Sequence, residues 1–378
     1  MTRLINFSAG PSALPLAALQ RAQRELLEWE NTGMSVMEQS HRGEAYEALH
    51  SETIELLRTL LGADDRYDVL LLHGGASMQF VQVPLNLLHR GALGEYVLTG
   101  IWGEKALAEG RTVAALIGGN VSVAASTGDG SEPGAMFTRV PTRDEIKVTK
   151  SAAYLHVTTN ETIHGVQYPM TGGRLAIDNG DVPIVADMSS DFLSKKIDVS
   201  SLGMIYAGAQ KNVGPSGLCV AVIRKDLIAT ARRDLPKLLS YEVAAKNGSM
   251  YNTPSTFGVY MMRNVLAWIN DVGGLAQIEA WNHEKSRLIY EAVDAAPAMY
   301  HCPVEQGSRS EMNIVFRLPS ASLEKAFLEE TKRRGMVGLR GHRTAGGIRV
   351  SLYNAVTVES AQALAHVMRD FEQKNKVG

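Results

Sequence analysis

Residues 204–218 read MIYAGAQKNVGPSGL. An apolar run ends in small residues, Lys211 follows, and a turn-forming stretch with Asn212, Gly214, Pro215 and Gly217 comes directly after. A lysine in this position is either a strand-end side chain reaching for solvent or an amine held over a ligand. Apolar surroundings lower an ammonium's pKa and make the amine a nucleophile.

Outward from this stretch, strand candidates recur at 67–73 (YDVLLLH), 95–100 (EYVLTG), 114–119 (AALIGG), 152–159 (AAYLHVTT), 182–190 (VPIVADMSS), 202–209 (LGMIYAGA) and 218–224 (LCVAVIR). Several are continuously apolar, as strands buried on both faces are. Helical patterns such as MQFVQVPLNLLHR and GEKALAEGRT lie between some of them. The alternation predicts an α/β domain built on a mostly parallel, seven-stranded sheet. After about residue 270 the texture changes to a long amphipathic helix, then strand, helix, strand and helix, which predicts a smaller α+β domain. The chain therefore divides into an N-terminal segment 1–15, a large domain 16–270 and a small C-terminal domain 271–378.

The 378 residues are 45% apolar and 21% charged, with a net charge of −2. That balance argues against nucleic acid or an acidic membrane as the main partner. Cys219 and Cys302 are the two cysteines, and neither sits in a C-x-x-C pair, so neither a metal site nor a disulfide framework is expected. With no apolar leader at the N-terminus and no run of about 18 apolar residues, a soluble, cytoplasmic protein is expected.

In open α/β sheets, ligands bind beyond the carboxyl ends of the strands. After YDVLLLH come Gly74 and Gly75, then a helical pattern from about Ser77. A glycine turn into a helix N-terminus presents free N–H groups suited to phosphate. After EYVLTG comes Trp102, whose indole can stack on a flat ring. After AAYLHVTT come Asn160, Thr162 and His164, which either contact a ligand or build a turn. After VPIVA comes Asp187, a carboxylate that is costly to bury without a partner. Taken singly, each signal has an ordinary structural explanation. Together with Lys211 they match pyridoxal 5′-phosphate, which needs a lysine for its aldehyde, an acid for its ring nitrogen, a stacking face and a phosphate cradle.

At this point the chain closely resembles the phosphoserine aminotransferase family, class V enzymes of the aspartate-aminotransferase-like fold (fold type I). The matching stretches run from end to end: INFSAGPSALP, SHRG, GGASMQF, NETIHGV, ADMSSDF, YAGAQKN, GPSGL, NTPSTF and GHRTAGGIRVSLYNA. The resemblance implies a homodimer with shared active sites. It also implies transamination between L-glutamate and 3-phosphohydroxypyruvate, giving 2-oxoglutarate and O-phospho-L-serine for serine biosynthesis. Many bacterial members also act on a phosphorylated hydroxythreonine precursor of pyridoxine. By motif position, Lys211 carries the cofactor, Asp187 partners its ring nitrogen and Trp102 stacks on it. Ala76, Ser77, Thr162 and Gln210 are implied cofactor contacts, with Asn252 and Thr253 reaching the phosphate from the neighbouring subunit.

Substrate anions call for cations. His41 and Arg42 stand just before a helical pattern, where a cation is unfavourable unless an anion joins it. GHRTAGGIRVSLYN adds His342, Arg343 and Arg349, and arginine forks suit carboxylate and phosphate. The resemblance gives Arg42 and Arg349 to substrate carboxylate or phosphate, with His41, His342 and Arg343 nearby. This sequence departs from the family at Ser77, where many members carry an arginine, and at Ala9, where a hydroxyl is frequent.

Same-fold alternatives include serine–glyoxylate aminotransferases and cysteine desulfurases, but neither cysteine here has the neighbours of a mobile nucleophile. A cofactor-binding regulator would bring a basic DNA-binding extension, which this sequence lacks. A nicotinamide dehydrogenase would need G-x-G-x-x-G after its first strand.

Overall fold

The computed structural model describes residues 3–128 and 136–375. Its centre is a seven-stranded sheet built from β1 (Tyr67–His73), β2 (Leu93–Leu98), β3 (Asn120–Ser126), β4 (Tyr154–Thr158), β5 (Ile184–Asp187), β6 (Met204–Gly208) and β7 (Leu218–Arg224). The strand order is β1-β7-β6-β5-β4-β2-β3, and only β7 runs against its neighbours.

The continuous apolar runs are explained by two-sided burial. Along β1, Val69 and Leu71 join one core, while Leu70 and Leu72 join the core on the opposite face. Val220 and Val222 of β7 face the first core, and Cys219, Ala221 and Ile223 the second. Successive side chains point to opposite faces of a strand, so a strand with helices on both sides cannot alternate apolar with polar residues. The first face carries α1 (Leu16–Glu25), α2 (Glu44–Leu61) and α5 (Thr256–Asp271). The second carries α3 (Gly75–Leu87) and α4 (Ile101–Ile117).

One strand assignment is corrected. Residues 114–119 were expected to be the third strand, but α4 runs through to Ile117 and stops at Gly118, whose φ of +73° is a left-handed helix cap. The strand starts at Asn120 instead. Short runs of small apolar residues fit a buried helix face as well as a strand, and Val113 and Ala114 are buried on such a face. The sheet keeps its seven strands.

Beyond α5, α6 (Gly274–Asp294) links two cores. Leu275 and Ile278 pack into the large one, and Ile289, Ala292 and Val293 into a third cluster around Phe316, Phe327 and Val350. That third core lies among the antiparallel pair β8 (Asn313–Phe316) and β9 (Ile348–Ser351), and the helices α7 (Ala321–Arg333) and α8 (Val358–Lys374). The chain's start is part of it: Ile5–Asn6 pairs in parallel with Met336–Val337, and Phe7 is fully buried there. No helix among the described residues is long and apolar enough to cross a membrane.

Candidate active site

The parallel strands β1, β2, β4, β5 and β6 end on one edge of the sheet, and a cavity of about 390 Å³ opens there. That is within the usual size range of a small-molecule site. Each wall follows from a local feature of the sequence.

The first wall is the β1–α3 turn. Gly74 (φ +86°) and Gly75 (φ +63°) hold left-handed backbone, and a Cβ on Gly74 would lie 2.8 Å from Met78 Cβ. No side chain caps α3, so its first-turn N–H groups remain available, and Ala76 and Ser77 line the cavity. A helix end of this kind attracts an anion.

The second wall is Asp187, the last residue of β5, paired in register with Thr158 and Tyr206. It is 5% exposed, and Ser189 donates to its Oδ1 through the backbone N–H (3.0 Å) and the hydroxyl (2.6 Å). Burial pushes its pKa up, while the Ser189 bonds and the Lys211 charge pull it back. An isolated buried carboxylate costs several kcal/mol, so a cationic partner on the cavity side stabilises it strongly.

Lys211 lies on the loop by which β6 turns back into antiparallel β7, which explains the glycines and proline that follow it. Its Nζ donates to Thr162 Oγ1 at 2.8 Å and stands 5.7 Å from the centre of the Trp102 ring. The N-terminal segment holds this loop: Ser12 donates through its N–H to the Gln210 carbonyl (3.0 Å) and through Oγ to the Lys211 carbonyl (2.5 Å). Trp102 lies in the first turn of α4, and its buried indole N–H has no acceptor among the described residues.

These residues fit pyridoxal 5′-phosphate. The uncapped α3 end faces the same cavity as the amine, the buried carboxylate and the indole.

Of the residues expected from sequence, Ala76, Ser77, Trp102 and Thr162 line the cavity, as do Asp187, Gln210 and Lys211. His342 and Arg349 join them from the C-terminal part of the chain. Burial lowers the His342 pKa, and the neighbouring Arg349, Lys105 and Arg343 charges lower it further. His41, Arg42, Arg343, Asn252 and Thr253 do not line the cavity of their own chain. Arg42 and Arg343 are exposed, as are Asn252 and Thr253, and Asn252 lies 3.5 Å from His73 across a second cavity.

The NETIHG stretch divides by contact. Asn160 reaches the cavity wall, but its amide is committed to Ser190 Oγ and Asn313 Oδ1, each at 2.8 Å. His164 is buried beside Phe137, and burial drives its pKa down to about 4. Sequence reasoning passed over Glu161, which is fully buried and accepts the backbone N–H of Trp102 at 2.6 Å. Its one available signal was a carboxylate following directly on a buried strand.

Comparison with known proteins agrees with this site. The chain matches the class-V aminotransferase family over residues 4–364. It is 49% identical to the phosphoserine aminotransferase of Geobacillus kaustophilus, covering 99% of each chain. The structure of phosphoserine aminotransferase from Bacillus circulans subsp. alkalophilus superposes with a TM-score of 0.92 at 46% identity, over 98% of this chain and 99% of that one. The structure of phosphoserine aminotransferase with bound PLP from Trichomonas vaginalis gives a TM-score of 0.90 at 37% identity, over 97% and 100%. The chain belongs to the class-V aminotransferase family, on its phosphoserine aminotransferase branch.

Proposed function

We propose that this chain transfers the amino group of L-glutamate to 3-phosphohydroxypyruvate with pyridoxal 5′-phosphate, giving 2-oxoglutarate and O-phospho-L-serine. The observation that carries the reading is the convergence of Lys211 Nζ, the Asp187 carboxylate, Trp102 and the uncapped α3 end on one cavity that Arg349 also lines.

Bound there, pyridoxal 5′-phosphate supplies an electron sink for the pair left when the substrate Cα–H bond breaks. The chain's own groups do the rest. Lys211 is the only lysine among the described residues lining the cavity, so its Nζ takes the Cα proton and returns it. Thr162 orients that amine. Asp187 holds a proton at the ring nitrogen and Trp102 covers the ring and excludes water. The first-turn N–H groups at Ala76 and Ser77 bind the cofactor phosphate. Arg349, held on β9, offers its fork to the substrate α-carboxylate.

Arg343 brings positive charge and His342 an imidazole N–H for the distal phosphate, which matters more where Ser77 supplies no charge. The same distal-anion recognition extends to the phosphorylated hydroxythreonine step of pyridoxine biosynthesis. We read the active form as a cytoplasmic homodimer with shared sites. Asn252 and Thr253 are exposed and stand off their own cavity, which supports their reaching the cofactor phosphate of a second copy. His41 and Arg42, also off that wall, are read the same way.

The test is a coupled assay with purified protein, L-glutamate and 3-phosphohydroxypyruvate, with pyruvate, oxaloacetate and hydroxypyruvate as controls. Strong preference for the phosphorylated acceptor is expected. Equal kcat/KM for hydroxypyruvate would reject the reading in favour of another class-V transaminase.

A further inference from the structure

Glu161 is fully buried, yet only one of its carboxylate oxygens is used. That oxygen accepts the Trp102 N–H and closes the first turn of α4. Oε2 has no partner among the described residues. Arg349 is in a similar state: its Nε is buried with no partner among the described residues, and Nη1 has only a long 3.5 Å contact to the Thr162 carbonyl. The two orphaned groups are of opposite sign, and the Glu161 charge raises the pKa of Arg349 against the burial that lowers it.

We propose that Glu161 is a positioning residue whose carboxylate competes with the substrate carboxylate for the charge of Arg349, so that substrate binding takes up a proton.

A helix cap alone does not call for a charge. A neutral amide would accept the Trp102 N–H equally well, and a buried carboxyl with an unused oxygen is costly. The charge acquires a use if it can be switched off. The Trp102 backbone N–H and Glu104 on α4, Asp187 at the end of β5 and Lys211 on the β6–β7 loop act on its charge, which in turn acts on Arg349 on β9. Burial dominates and raises the Glu161 pKa to about 8, aided by Asp187 and Glu104 and opposed by the Trp102 N–H and Lys211. When a ligand carboxylate reaches Arg349, the local charge becomes more negative. A proton from solvent then joins Glu161, and the guanidinium serves one anion instead of two. In the opposite direction, ionisation of Glu161 at alkaline pH weakens carboxylate binding.

This inference rests on the assignment of Arg349 to the substrate carboxylate. The experiment uses the holoenzyme and 2-oxoglutarate, with binding measured by calorimetry at pH 7 and pH 9 in buffers of different ionisation enthalpy. Glu161→Gln keeps the acceptor for Trp102 and removes the titration. Wild type and E161Q should bind alike at pH 7, and wild type should be about tenfold weaker than E161Q at pH 9, as one linked proton requires. Proton uptake near pH 8 should be present in wild type and reduced by up to one proton in E161Q. His342 is present in both proteins, so the difference isolates Glu161. An infrared difference spectrum of wild type at pH 8.5 serves as a check that needs no variant: 2-oxoglutarate should induce a protonated-carboxyl band. Parallel pH dependence in wild type and E161Q, or no such band, overturns the inference. Arg349→Ala should lose 2-oxoglutarate binding. If it binds normally, the Arg349 assignment falls and this inference with it. If it loses binding while E161Q parallels wild type, only the inference falls.

Discussion

Two helix ends stand side by side at the edge of the sheet, and they are finished differently. α3 follows β1 through Gly74 and has no side-chain cap, so its first turn opens into the cavity. α4 follows β2 through Gly100, and there the Glu161 carboxylate fills the first turn. Both ends carry the same positive partial charge. One has a first-turn N–H taken up by the protein, and the other is left for an anion from outside. The difference supports the proposal that α3 receives the cofactor phosphate while α4 presents Trp102.

The largest expected effect comes from the amine between these two ends. Lys211→Ala should abolish turnover while both helix ends stay intact, read as no product formed by a protein of unchanged circular dichroism. In the wild type, borohydride reduction and peptide mapping should place the pyridoxyl group on residue 211. Label on another lysine would overturn the assignment.

Asp187→Asn tests the carboxylate on the same edge. Loss of a central electrostatic group lowers the chemical step about 10²–10³-fold. Single-turnover rates near wild type would remove Asp187 from the chemistry.

Ser77→Asp makes the two ends alike by placing a carboxylate in the first turn of α3. The two halves of the effect have opposite signs. An acid in a helix's first turn stabilises the apoprotein by about 0.3–1 kcal/mol. It also repels the incoming phosphate, so cofactor affinity should fall roughly 10-fold or more, about 1.4 kcal/mol per tenfold. Thermal melting of the apoprotein and equilibrium binding of pyridoxal 5′-phosphate separate the two. Unchanged affinity would mean that the phosphate lies elsewhere.

Gly100→Ala attacks the other end. A Cβ there would lie 1.8 Å from Glu161 Cγ, so the carboxylate must leave and the Trp102 N–H loses its acceptor. A buried donor left unpaired costs about 1–3 kcal/mol, measured by denaturant unfolding. Stability within 0.5 kcal/mol of wild type would show that the Glu161 contact contributes little.

Much of this site was legible because its signals are local. The glycine pair at 74–75, the apolar run ending in Asp187 and the lysine between strand and turn each follow from a few adjacent residues whose backbone and burial preferences agree. For the same reason β1 and β7 match their sequence-read bounds residue for residue. The misread strand at 114–119 marks the limit, because small apolar residues satisfy both periods and only the packing of α4 decides between them.

By itself, the sequence determined the α/β alternation, the strand-end positions of the cofactor residues and the chemistry those residue types imply. Three things were decided by tertiary structure alone. The Lys211 amine meets Thr162 across 49 residues of sequence, and Ser12 fastens the Lys211 loop across 199. The Trp102 N–H finds Glu161 across 59 residues, which turns an unremarked carboxylate into a buried group beside the site. Among the expected cations, Arg349 and His342 reach the cavity, while Arg343, His41 and Arg42 do not line it within their own chain. Local propensity acts through the backbone and the nearest few side chains. Burial, charge state and who faces whom depend on contacts that exist only once distant segments have packed, so no single stretch of sequence encodes them.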